Sequence, residues 1–509
     1  MKGFMSFSRP CNKRGVAVYW IKWIQPKKEC FSGGFNMRKT KIVCTVGPAC
    51  RNVNTLREMV KAGMSVARLN FSHGDHAYHE ETIAMVKQVR EEMNVPLAIL
   101  LDTKGPEIRT RNFVNGYEDL EEGQLFTFTV REVEGDKNIC QVSYPGFARC
   151  MTKGDTVLID DGKIRLVVEE CNEEDVICRV LNSGRVSNHK GINVPNVHMD
   201  MPFLSASDKA DLLFGVQMDV DFVAASFVRS AQDVVDMRKY LNYYGGHHIG
   251  IISKIENAEG IDNFDAILEK SDGIMVARGD MGVEVDYTRL PGIQKRLISS
   301  CYKAGKMVIT ATQMLESMST NPSPTRAEIT DVANAVFDGT SAVMLSGETA
   351  AGKYPVEAVH TMAYIAEQAE QDALTLPARS GVHYDIPDGN ITNAVCDAAC
   401  RAARDVNAKA IVALTKSGGT ARNVSKFRPR QPIVAATPDV KTYHQLSLSW
   451  GVYPVVSLEQ HEYQDLLTHA VDCAKQIDMV DRGDVAVIVA GMPLGLTGNT
   501  NVLQVNVVE

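Results

Sequence analysis

Three charged residues stand at the ends of two apolar runs in the middle of the chain. Lys254 and Glu256 close the run 250–256, and Asp280 follows Glu256 by 24 residues at the end of the run 273–280. Both runs are typical of buried parallel strands, and residues two apart in a strand share a face, so Lys254 and Glu256 point together. Two carboxylates with no Cys or His beside them suit Mg²⁺ or Mn²⁺. A lysine beside such an ion suits a phosphate or another oxyanion as substrate, whereas an isolated Lys-x-Glu is more often a surface salt bridge.

These residues belong to an alternation of strand and helix patterns that recurs along the chain. Amphipathic helical patterns, for example at 55–62, 78–93, 231–244, 261–270 and 293–304, separate eight β-branched runs at 41–46, 65–71, 96–102, 221–228, 250–256, 273–280, 307–313 and 342–348. Eight strand-helix units with nearly continuous apolar strands predict a closed (β/α)8 TIM barrel, whose chemistry sits at the carboxyl ends of the strands. Charged and polar residues collect at those ends: Arg68, Asn70, Ser72, Asp102, Thr103, Lys254, Glu256, Asp280, Thr310 and Thr312.

Composition favours a multi-domain enzyme of the cytoplasm. The chain has 509 residues, is 45% hydrophobic and carries a net charge of −8, which argues against nucleic acid as a main partner. Its 12 cysteines form no CxxC pair, as expected of reduced residues in a cytosol. The apolar patch near the amino terminus is too short to span a membrane, so no membrane partner is expected.

The pattern divides the chain into four parts. Residues 1–36 carry seven Lys or Arg against one Glu and are expected to be a disordered extension or to precede the natural start, a targeting segment being the alternative. The barrel is assigned to 37–106 and 202–376. Alternating runs at 124–130, 156–170 and 176–181 predict a small inserted β-barrel lid domain over 107–201. After a linker rich in Pro, Gly and Asp, an open α/β regulatory domain is expected within 377–509.

Five strings along the barrel resemble the pyruvate kinase family, and the resemblance runs from about Met37 to the carboxyl terminus. They are ARLNFSHG at 67–74, LDTKGPEIR at 101–109, ISKIEN at 252–257, ARGD at 277–280 and ATQMLES at 311–317. The resemblance implies phosphoryl transfer from phosphoenolpyruvate to ADP, giving pyruvate and ATP, with protonation of enolpyruvate as the last step. It also implies Mg²⁺ and K⁺ as cofactors, a sugar-phosphate effector and a homotetramer.

The resemblance assigns roles to individual residues. Lys254 and Arg68 would stabilise the transferring phosphoryl group, Glu256 and Asp280 would hold Mg²⁺, and Thr312 would relay a proton through water. The substrate carboxylate would meet backbone N–H groups around Ala277, Arg278, Gly279 and Asp280. The residues matched to ADP or ATP binding are Pro48, Asn70, His73, Tyr78, Arg109 and Lys190. No Walker A string is present.

A second set of rim residues suits a monovalent cation. Asn70, Ser72, Asp102 and Thr103 offer one carboxylate with neutral oxygens, and the resemblance names the ion as K⁺. Capping of the following helices is the alternative role. In the family a glutamate at the position of Glu107 accompanies K⁺ dependence.

One loop of the last domain follows a strand and opens a helix. The loop Thr415, Lys416, Ser417, Gly418, Gly419 and Thr420 matches the effector-phosphate loop of the family. The partner loop at 491–499 lacks the Trp and Arg of animal forms, so the effector is left open. Two other functions stay open at this point: a different Mg²⁺-dependent barrel enzyme that makes an enolate, such as a lyase, mutase or aldolase, and a metabolite sensor without catalysis.

Overall fold

The computed structural model describes residues 38–375, 390–459, 462–493 and 498–509. The predictions for residues 1–36, and for nearly all of the linker, fall outside these ranges. In the described part, no helix is both long and apolar enough to cross a membrane.

The first part of the chain forms three parallel strands separated by two helices. They are β1 (Lys41–Thr45), α1 (Val53–Ala62), β2 (Val66–Asn70), α2 (His76–Met93) and β3 (Ala98–Asp102). Asn52 and Asp75 accept the hydrogen bonds that begin the helices, from the N–H groups of Thr55 and Tyr78. The strands are almost wholly buried, as parallel strands covered on both faces should be.

The inserted segment is almost entirely β structure. It contains β4 (Ile108–Arg109), β5 (Tyr117–Leu120), β6 (Leu125–Thr129), β7 (Ile139–Gln141), α3 (Phe147–Cys150), β8 (Thr156–Ile159), β9 (Ile164–Cys171), β10 (Asp175–Val180), β11 (Gly184–Ser187) and β12 (Gly191–Asn193). Seven strands form one sheet in the order β4-β12-β8-β9-β10-β6-β7, and β11 pairs with β5. The single run predicted at 156–170 is in fact two antiparallel strands, because Asp160 and Asp161 adopt positive φ and turn the chain.

The rest of the barrel follows the insertion. Its elements are α4 (Ala206–Gln217), β13 (Phe222–Ala225), α5 (Ala231–Tyr243), β14 (Gly250–Ile255), α6 (Ala258–Asp262), α7 (Phe264–Lys270), β15 (Gly273–Ala277), α8 (Arg278–Glu284), α9 (Leu290–Lys303), β16 (Met307–Ala311), α10 (Arg326–Phe337), β17 (Ala342–Leu345), α11 (Gly347–Ala350) and α12 (Pro355–Ala373). Eight parallel strands close in the order β1-β17-β16-β15-β14-β13-β3-β2, which confirms the predicted barrel.

Several predicted boundaries in the barrel were wrong. The strands expected at 221–228 and 342–348 end earlier, at Ala225 and Leu345. The strand expected at 273–280 ends at Ala277, and α8 begins at Arg278, so Asp280 stands in the first turn of a helix, where a carboxylate is favoured. The helix expected at 261–270 breaks at Asn263 into α6 and α7.

The last domain is an open sheet with helices on both faces, as predicted. Its elements are α13 (Ile391–Asp405), β18 (Ala410–Leu414), α14 (Gly419–Ser425), β19 (Ile433–Thr437), α15 (Val440–Gln445), β20 (Val452–Val456), α16 (Tyr463–Gln476), β21 (Val485–Ala490) and β22 (Val502–Val507). The strand order is β20-β19-β18-β21-β22, and β22 is the antiparallel edge strand.

A buried lysine joins the barrel to this domain and gives a testable dependence on pH. Nζ of Lys41 donates to the carbonyl oxygen of Val452 at 2.7 Å. Burial, reinforced by the charge of Arg38, lowers the pKa of Lys41 from 10.5 to about 7. Between these two values the unfolded chain binds a proton that the folded protein does not, so the free energy of unfolding rises with pH, by at most about 1.4 kcal/mol per unit.

We therefore expect the thermal midpoint of the wild type to rise, relative to that of Lys41→Met, as the pH is raised from about 7 to about 9. Calorimetry of both proteins across this range measures the difference. Parallel pH profiles would contradict the depressed pKa.

Candidate active site

Four charged side chains meet at the carboxyl ends of three barrel strands, of which β2 and β3 are adjacent and β14 is separated from β3 by β13. Arg68 lies on β2, Asp102 ends β3, and Lys254 with Glu256 lies at the end of β14. Nζ of Lys254 is 3.2 Å from Oδ1 of Asp102 and 3.0 Å from Oε1 of Glu256. Nε of Arg68 is 2.6 Å from Oδ2 of Asp102. We call these four residues the charge cluster.

The charge cluster is buried, which makes its electrostatics strong. Glu256 is 0% exposed and Asp102 is 1% exposed. Burial lowers the pKa of Lys254, but the carboxylates of Asp102 and Glu256 outweigh it and hold this pKa above its usual value. Burial raises the pKa of Asp102, and Lys254 and Arg68 outweigh it in turn, so the carboxylate stays ionised. Two cations therefore face the rim with their charge maintained.

Glu256 differs from Asp102, because no arginine of the described ranges pairs with it. Burial, with the charge of Asp280 adding, raises the pKa of Glu256 to about 8. Its Oε2 accepts a hydrogen bond from the N–H of Phe227 at 2.6 Å, whereas its buried Oε1 lacks a hydrogen-bond partner in good geometry.

The pair Glu256 and Asp280 fits a divalent cation in donor type. Both offer carboxylate oxygens, and Oε1 of Glu256 is a buried atom with unused acceptor capacity. Among the described residues, no group of three or more His, Cys, Asp or Glu is arranged to hold a metal ion. A two-carboxylate site suits Mg²⁺, which keeps waters and substrate oxygens among its ligands.

Thr312 is held beside the first turn of α8. Its Oγ1 accepts from the N–H of Gly279 at 2.8 Å and donates to the carbonyl oxygen of Ala311 at 2.6 Å. The φ of Thr312 is 68°, a left-handed conformation that is costly for a β-branched residue. In this arrangement the N–H of Gly279 is engaged by Thr312, although the sequence assigned it to the substrate.

The guanidinium of Arg278 turns away from the charge cluster. It donates to the carbonyl oxygens of Ala311 and Thr312 at 3.2 and 2.6 Å and pairs with Asp331 at 2.7 Å. The side chain of Arg278 therefore fixes the backbone of Thr312, and its N–H remains the group predicted to meet the substrate. Ala277, at the end of β15, is buried.

The four residues predicted to bind K⁺ lie at the carboxyl ends of the adjacent strands β2 and β3 and in the loops that follow them. Asn70 and Asp102 are register partners in the pairing of β2 with β3. Oδ1 of Asn70 accepts from the N–H of Ser72 at 3.1 Å, and Oγ1 of Thr103 donates to the carbonyl oxygen of Ala224 at 3.3 Å. The oxygen donors suit a monovalent cation, but the carboxylate of Asp102 is already neutralised by Arg68 and Lys254.

The residues predicted to contact the nucleotide fall into two groups. Pro48 and His73 are exposed in the loops after β1 and β2, and Tyr78 is half-buried at the start of α2. The guanidinium of Arg51 lies 4.1 Å from the ring centroid of Tyr78 and fixes its orientation.

The second group belongs to the inserted domain. Arg109 pairs with Glu107 at 2.7 Å and donates to the carbonyl oxygen of His189 at 2.7 Å, while Nζ of Lys190 is 2.9 Å from Oδ1 of Asp160. In the described part of the chain, no hydrogen bond or ion pair joins this group to Pro48, His73 or Tyr78. The insertion reaches the rim elsewhere, where Asn193 donates to Glu284 of α8 at 2.8 Å.

The loop 415–420, which we call the effector loop, lies between β18 and α14. Nζ of Lys416 is 3.2 Å from Oε1 of Glu459, and the hydroxyls of Thr420 and Thr500 are 3.0 Å apart. A pocket of about 120 Å³ lies against this loop. Gly418 is required there, because its φ is 81° and a Cβ would stand 2.6 Å from Nη1 of Arg422.

The sequence analysis missed two residues that support the site. Oγ of Ser226 donates to the carbonyl oxygen of Thr103 at 2.6 Å and receives a hydrogen bond from Lys254 at 2.8 Å. Its position directly after β13 was the available signal. Glu348 accepts from the N–H groups of Leu315 and Ser346 at 3.0 and 2.7 Å and so ties together the loops after β16 and β17. No sequence pattern indicated that role.

Comparison with known proteins gives one consistent answer. Residues 37–359 match the family model described as the barrel domain of pyruvate kinase, and residues 393–506 match its alpha/beta domain. A pyruvate kinase of Clostridium acetobutylicum is 49% identical over 477 residues, covering 93% of this chain and all of the relative. Pyruvate kinases of Staphylococcus saprophyticus and Geobacillus stearothermophilus are 48% and 47% identical, each alignment covering 93% of this chain and 81% of the relative. With the barrel, the charge cluster and the α/β domain in place, the chain is an enzyme that belongs to the pyruvate kinase family.

Proposed function

We propose that the charge cluster transfers the phosphoryl group of phosphoenolpyruvate to ADP, giving pyruvate and ATP. The observation that carries this proposal is the placement of two cations, Lys254 and Arg68, whose side chains are only 11% and 9% exposed, beside the buried carboxylate of Glu256. Phosphoryl transfer needs positioning and neutralisation of charge, with little covalent work by the protein. Two largely buried cations, held in place by ion pairs at the rim, meet that need.

Lys254 and Arg68 divide the work on the phosphoryl group. The pKa of Lys254 is held above its usual value, so its ammonium keeps its charge while phosphate oxygens approach. Arg68 uses Nε on Asp102 and Nη1 on Thr45, at 2.6 and 2.7 Å. These bonds orient the guanidinium plane, and the remaining N–H groups can clamp phosphate oxygens.

Glu256 and Asp280 would hold Mg²⁺ or Mn²⁺, as their donor types allow. A bound divalent ion supplies Lewis-acid stabilisation of the substrate oxygens. Glu256 keeps its position because the N–H of Phe227 fixes Oε2, while Oε1 lies toward the ammonium of Lys254.

Thr312 is proposed to stand on the path of the proton that completes pyruvate. A threonine hydroxyl is too weak an acid to be the proton source, so a relay through water is required. The locked backbone of Thr312 supports this role, because Arg278 and Gly279 hold both its carbonyl and its hydroxyl.

ADP is proposed to lie between the rim and the inserted domain. Tyr78, fixed by Arg51, would contact it from the barrel, together with Pro48, Asn70 and His73. Arg109 and Lys190 would contact it from the inserted domain, acting as a lid. On binding of ADP, Arg109 and Lys190 would exchange their present partners, Glu107 and Asp160, for phosphate oxygens.

We propose that K⁺ binds at Asn70, Ser72, Asp102 and Thr103, and the dependence on K⁺ is testable through Glu107. Burial raises the pKa of Glu107, and its carboxylate is paired with Arg109. Replacing K⁺ with a bulky organic cation at equal ionic strength should lower turnover strongly, and Glu107→Lys should relieve that dependence in part. Steady-state rates in both salts measure this. Full activity of the wild type without K⁺, NH₄⁺ or Rb⁺ would show that neither Glu107 nor the proposed cation site has the role given to it.

The effector loop is proposed to bind the phosphate of a sugar phosphate. The pocket beside it is lined by Lys416 and Thr420 and has room for a phosphate group. Lys416→Glu should abolish activation by sugar phosphates and keep the basal rate, because it places repulsive charge at the loop. Apparent substrate affinity, measured with and without fructose 1,6-bisphosphate and other phosphorylated metabolites, tests this. If none of them changes the affinity of the wild type, the regulatory role fails.

The proposed assembly is a homotetramer in the cytoplasm, with the domain boundaries predicted from the sequence. Edge strand β22 exposes Leu503, Val505 and Val507 on one face, an apolar surface that suits contact between copies. The ten described cysteines are all unpaired, as suits a reducing compartment.

The need for ADP separates this function from the alternatives. A lyase, mutase or aldolase that makes an enolate would convert its substrate without a nucleotide. We expect the purified chain to form pyruvate from phosphoenolpyruvate in a lactate dehydrogenase-coupled assay only when ADP is added. Pyruvate formed at the same rate without ADP would favour the alternative class.

A further inference from the structure

A wide cleft separates the amino-terminal end of the barrel from the last domain. Its volume is about 850 Å³, within the range of roughly 300–1,000 Å³ typical of small-molecule sites. The barrel contributes the loops before β13, β14, β15 and β16, and the last domain contributes the effector loop, α14 and α15. The charge cluster lies at the opposite ends of the strands, so this interdomain cleft is a different place from the active site.

The acidic residues that line the interdomain cleft have partners on the protein. Asp272 pairs with Arg238 at 2.7 Å, Asp219 with Lys441 at 2.9 Å and Glu269 with Lys270 at 2.7 Å, and Asp439 accepts from the N–H of Thr442 at 2.6 Å. Their negative charge is therefore largely compensated, and a cationic ligand would find little to bind.

Arg422, on α14, is the contrasting residue. Its Nη2 donates to the carbonyl oxygen of Ser417 at 2.6 Å, and within the described ranges no carboxylate lies at ion-pair distance from it. Burial lowers the pKa of Arg422, and Asp272 opposes this effect only from a distance. Arg422 is thus a partly desolvated cation that lines the cleft without a counter-charge.

A second cation lines the cleft from the barrel side. Nζ of Lys306 donates to the carbonyl oxygens of Leu268, Glu269 and Ser271 at 2.6 to 2.7 Å, so its donors are used. No carboxylate in the described part of the chain lies at ion-pair distance from Lys306, so its charge is not neutralised by a direct partner. Each domain therefore brings one positive charge to the same space. An anion between them would interact favourably with both.

We propose that the interdomain cleft binds a small phosphorylated metabolite, with Arg422 as its phosphate contact. The guanidinium has unused N–H donors in a planar fork that matches phosphate, and the side chain of Asn423 lines the same wall. The volume suits a sugar or nucleoside monophosphate. The site is separate from the catalytic function proposed above and also from the pocket on the other side of the effector loop.

The effector loop lies between the two cavities. Ser417 and Gly419 line both the cleft and the smaller pocket. A phosphate bound to Arg422 would lie close to the hydrogen bond that Arg422 donates to the carbonyl oxygen of Ser417. Occupancy of the cleft is therefore sensed by the loop that is proposed to bind the sugar-phosphate effector.

The test uses inorganic phosphate as the probe. It is made in a variant in which the lysines of the charge cluster and of the effector loop are replaced, so that phosphate binds less at those two sites. In full-length Lys254→Met/Lys416→Glu, without Mg²⁺ or substrates, we expect phosphate at constant ionic strength to raise the thermal midpoint by about 2 °C or more. Adding Arg422→Met should abolish the rise. Arg404→Met, which removes an exposed cation of the same domain, should leave it intact.

A second variant and a comparison of ligands test the same site independently. Asn423→Asp, placed in the same background, adds a carboxylate beside Arg422 and should also abolish the rise, which covers the case in which Arg422→Met fails to fold. No rise in the background, or a rise that survives both changes, would overturn the proposal. At equal concentration, a hexose monophosphate and a nucleoside monophosphate should raise the thermal midpoint by amounts different from that caused by inorganic phosphate. Equal rises for all three ligands would overturn the assignment to a metabolite. No arm depends on catalysis, so failure here is distinct from failure of the proposed function.

Discussion

Lys254→Met is expected to lower the rate of phosphoryl transfer by about 150- to 5,000-fold or more, equivalent to about 3 to 5 kcal/mol of transition-state stabilisation. The ammonium of Lys254 lies between Asp102 and Glu256 and pairs with both carboxylates. Its removal leaves two buried carboxyl groups. Arg68 still pairs with Asp102, and Glu256, whose pKa is already raised to about 8, can take up a proton. The fold should therefore survive the change.

The matched control is Lys41→Met. Lys41 is also a buried lysine of a barrel strand, but it begins β1 at the opposite end of the barrel. Rapid-quench measurement of ATP formation, with circular dichroism and calorimetry for the fold, should show transfer lost only in Lys254→Met. Transfer within tenfold of the wild type in a folded Lys254→Met would refute the role given to this lysine.

Glu256→Gln is expected to lower turnover by about 100-fold or more and to weaken binding of the divalent ion by at least about tenfold. Glutamine keeps the volume and can keep the acceptor for the N–H of Phe227, so the substitution removes mainly the charge. The proposed ion would then have only Asp280 as a charged ligand. Titration of Mn²⁺ by electron paramagnetic resonance, without substrate, reports the binding directly.

Glu284→Gln is the control for charge near this position. Glu284 is close enough to Asp280 to feel its charge, and it accepts from Asn193 at 2.8 Å, a bond that glutamine can keep. It is not part of the proposed metal pair. If both variants weakened Mn²⁺ binding equally, the general field of the rim, and not Glu256 as a ligand, would be responsible.

The elements of the fold were predictable from the sequence because local patterns determine them. Each of the eight barrel strands lies within one of the apolar runs, and Lys254 and Asp102 meet because the carboxyl ends of parallel strands share one rim. The sequence pattern could not place the end of β15, because Ala277 and Arg278 differ little in their intrinsic preference for strand or helix. The turn into α8 depends instead on the hydrogen bond from the N–H of Gly279 to Thr312.

Side-chain orientation was the part that the sequence could not supply. Arg278 belongs to a motif string, yet its guanidinium serves the backbone of Thr312 through a partner, Asp331, that lies 53 residues away. Asp102, one of the predicted K⁺ ligands, is likewise paired with Arg68, which lies 34 residues earlier in the chain. Such long-range pairings leave no local signal in the chain.

Transfer of the phosphoryl group to ADP can be observed directly by following its phosphorus atom. Phosphorus nuclear magnetic resonance of the purified chain with phosphoenolpyruvate, ADP, Mg²⁺ and K⁺ should show the phosphoenolpyruvate signal replaced by the γ-phosphate of ATP, with one pyruvate formed per ATP. Consumption of phosphoenolpyruvate that yields inorganic phosphate, or a rearranged product, with no ATP would contradict the account.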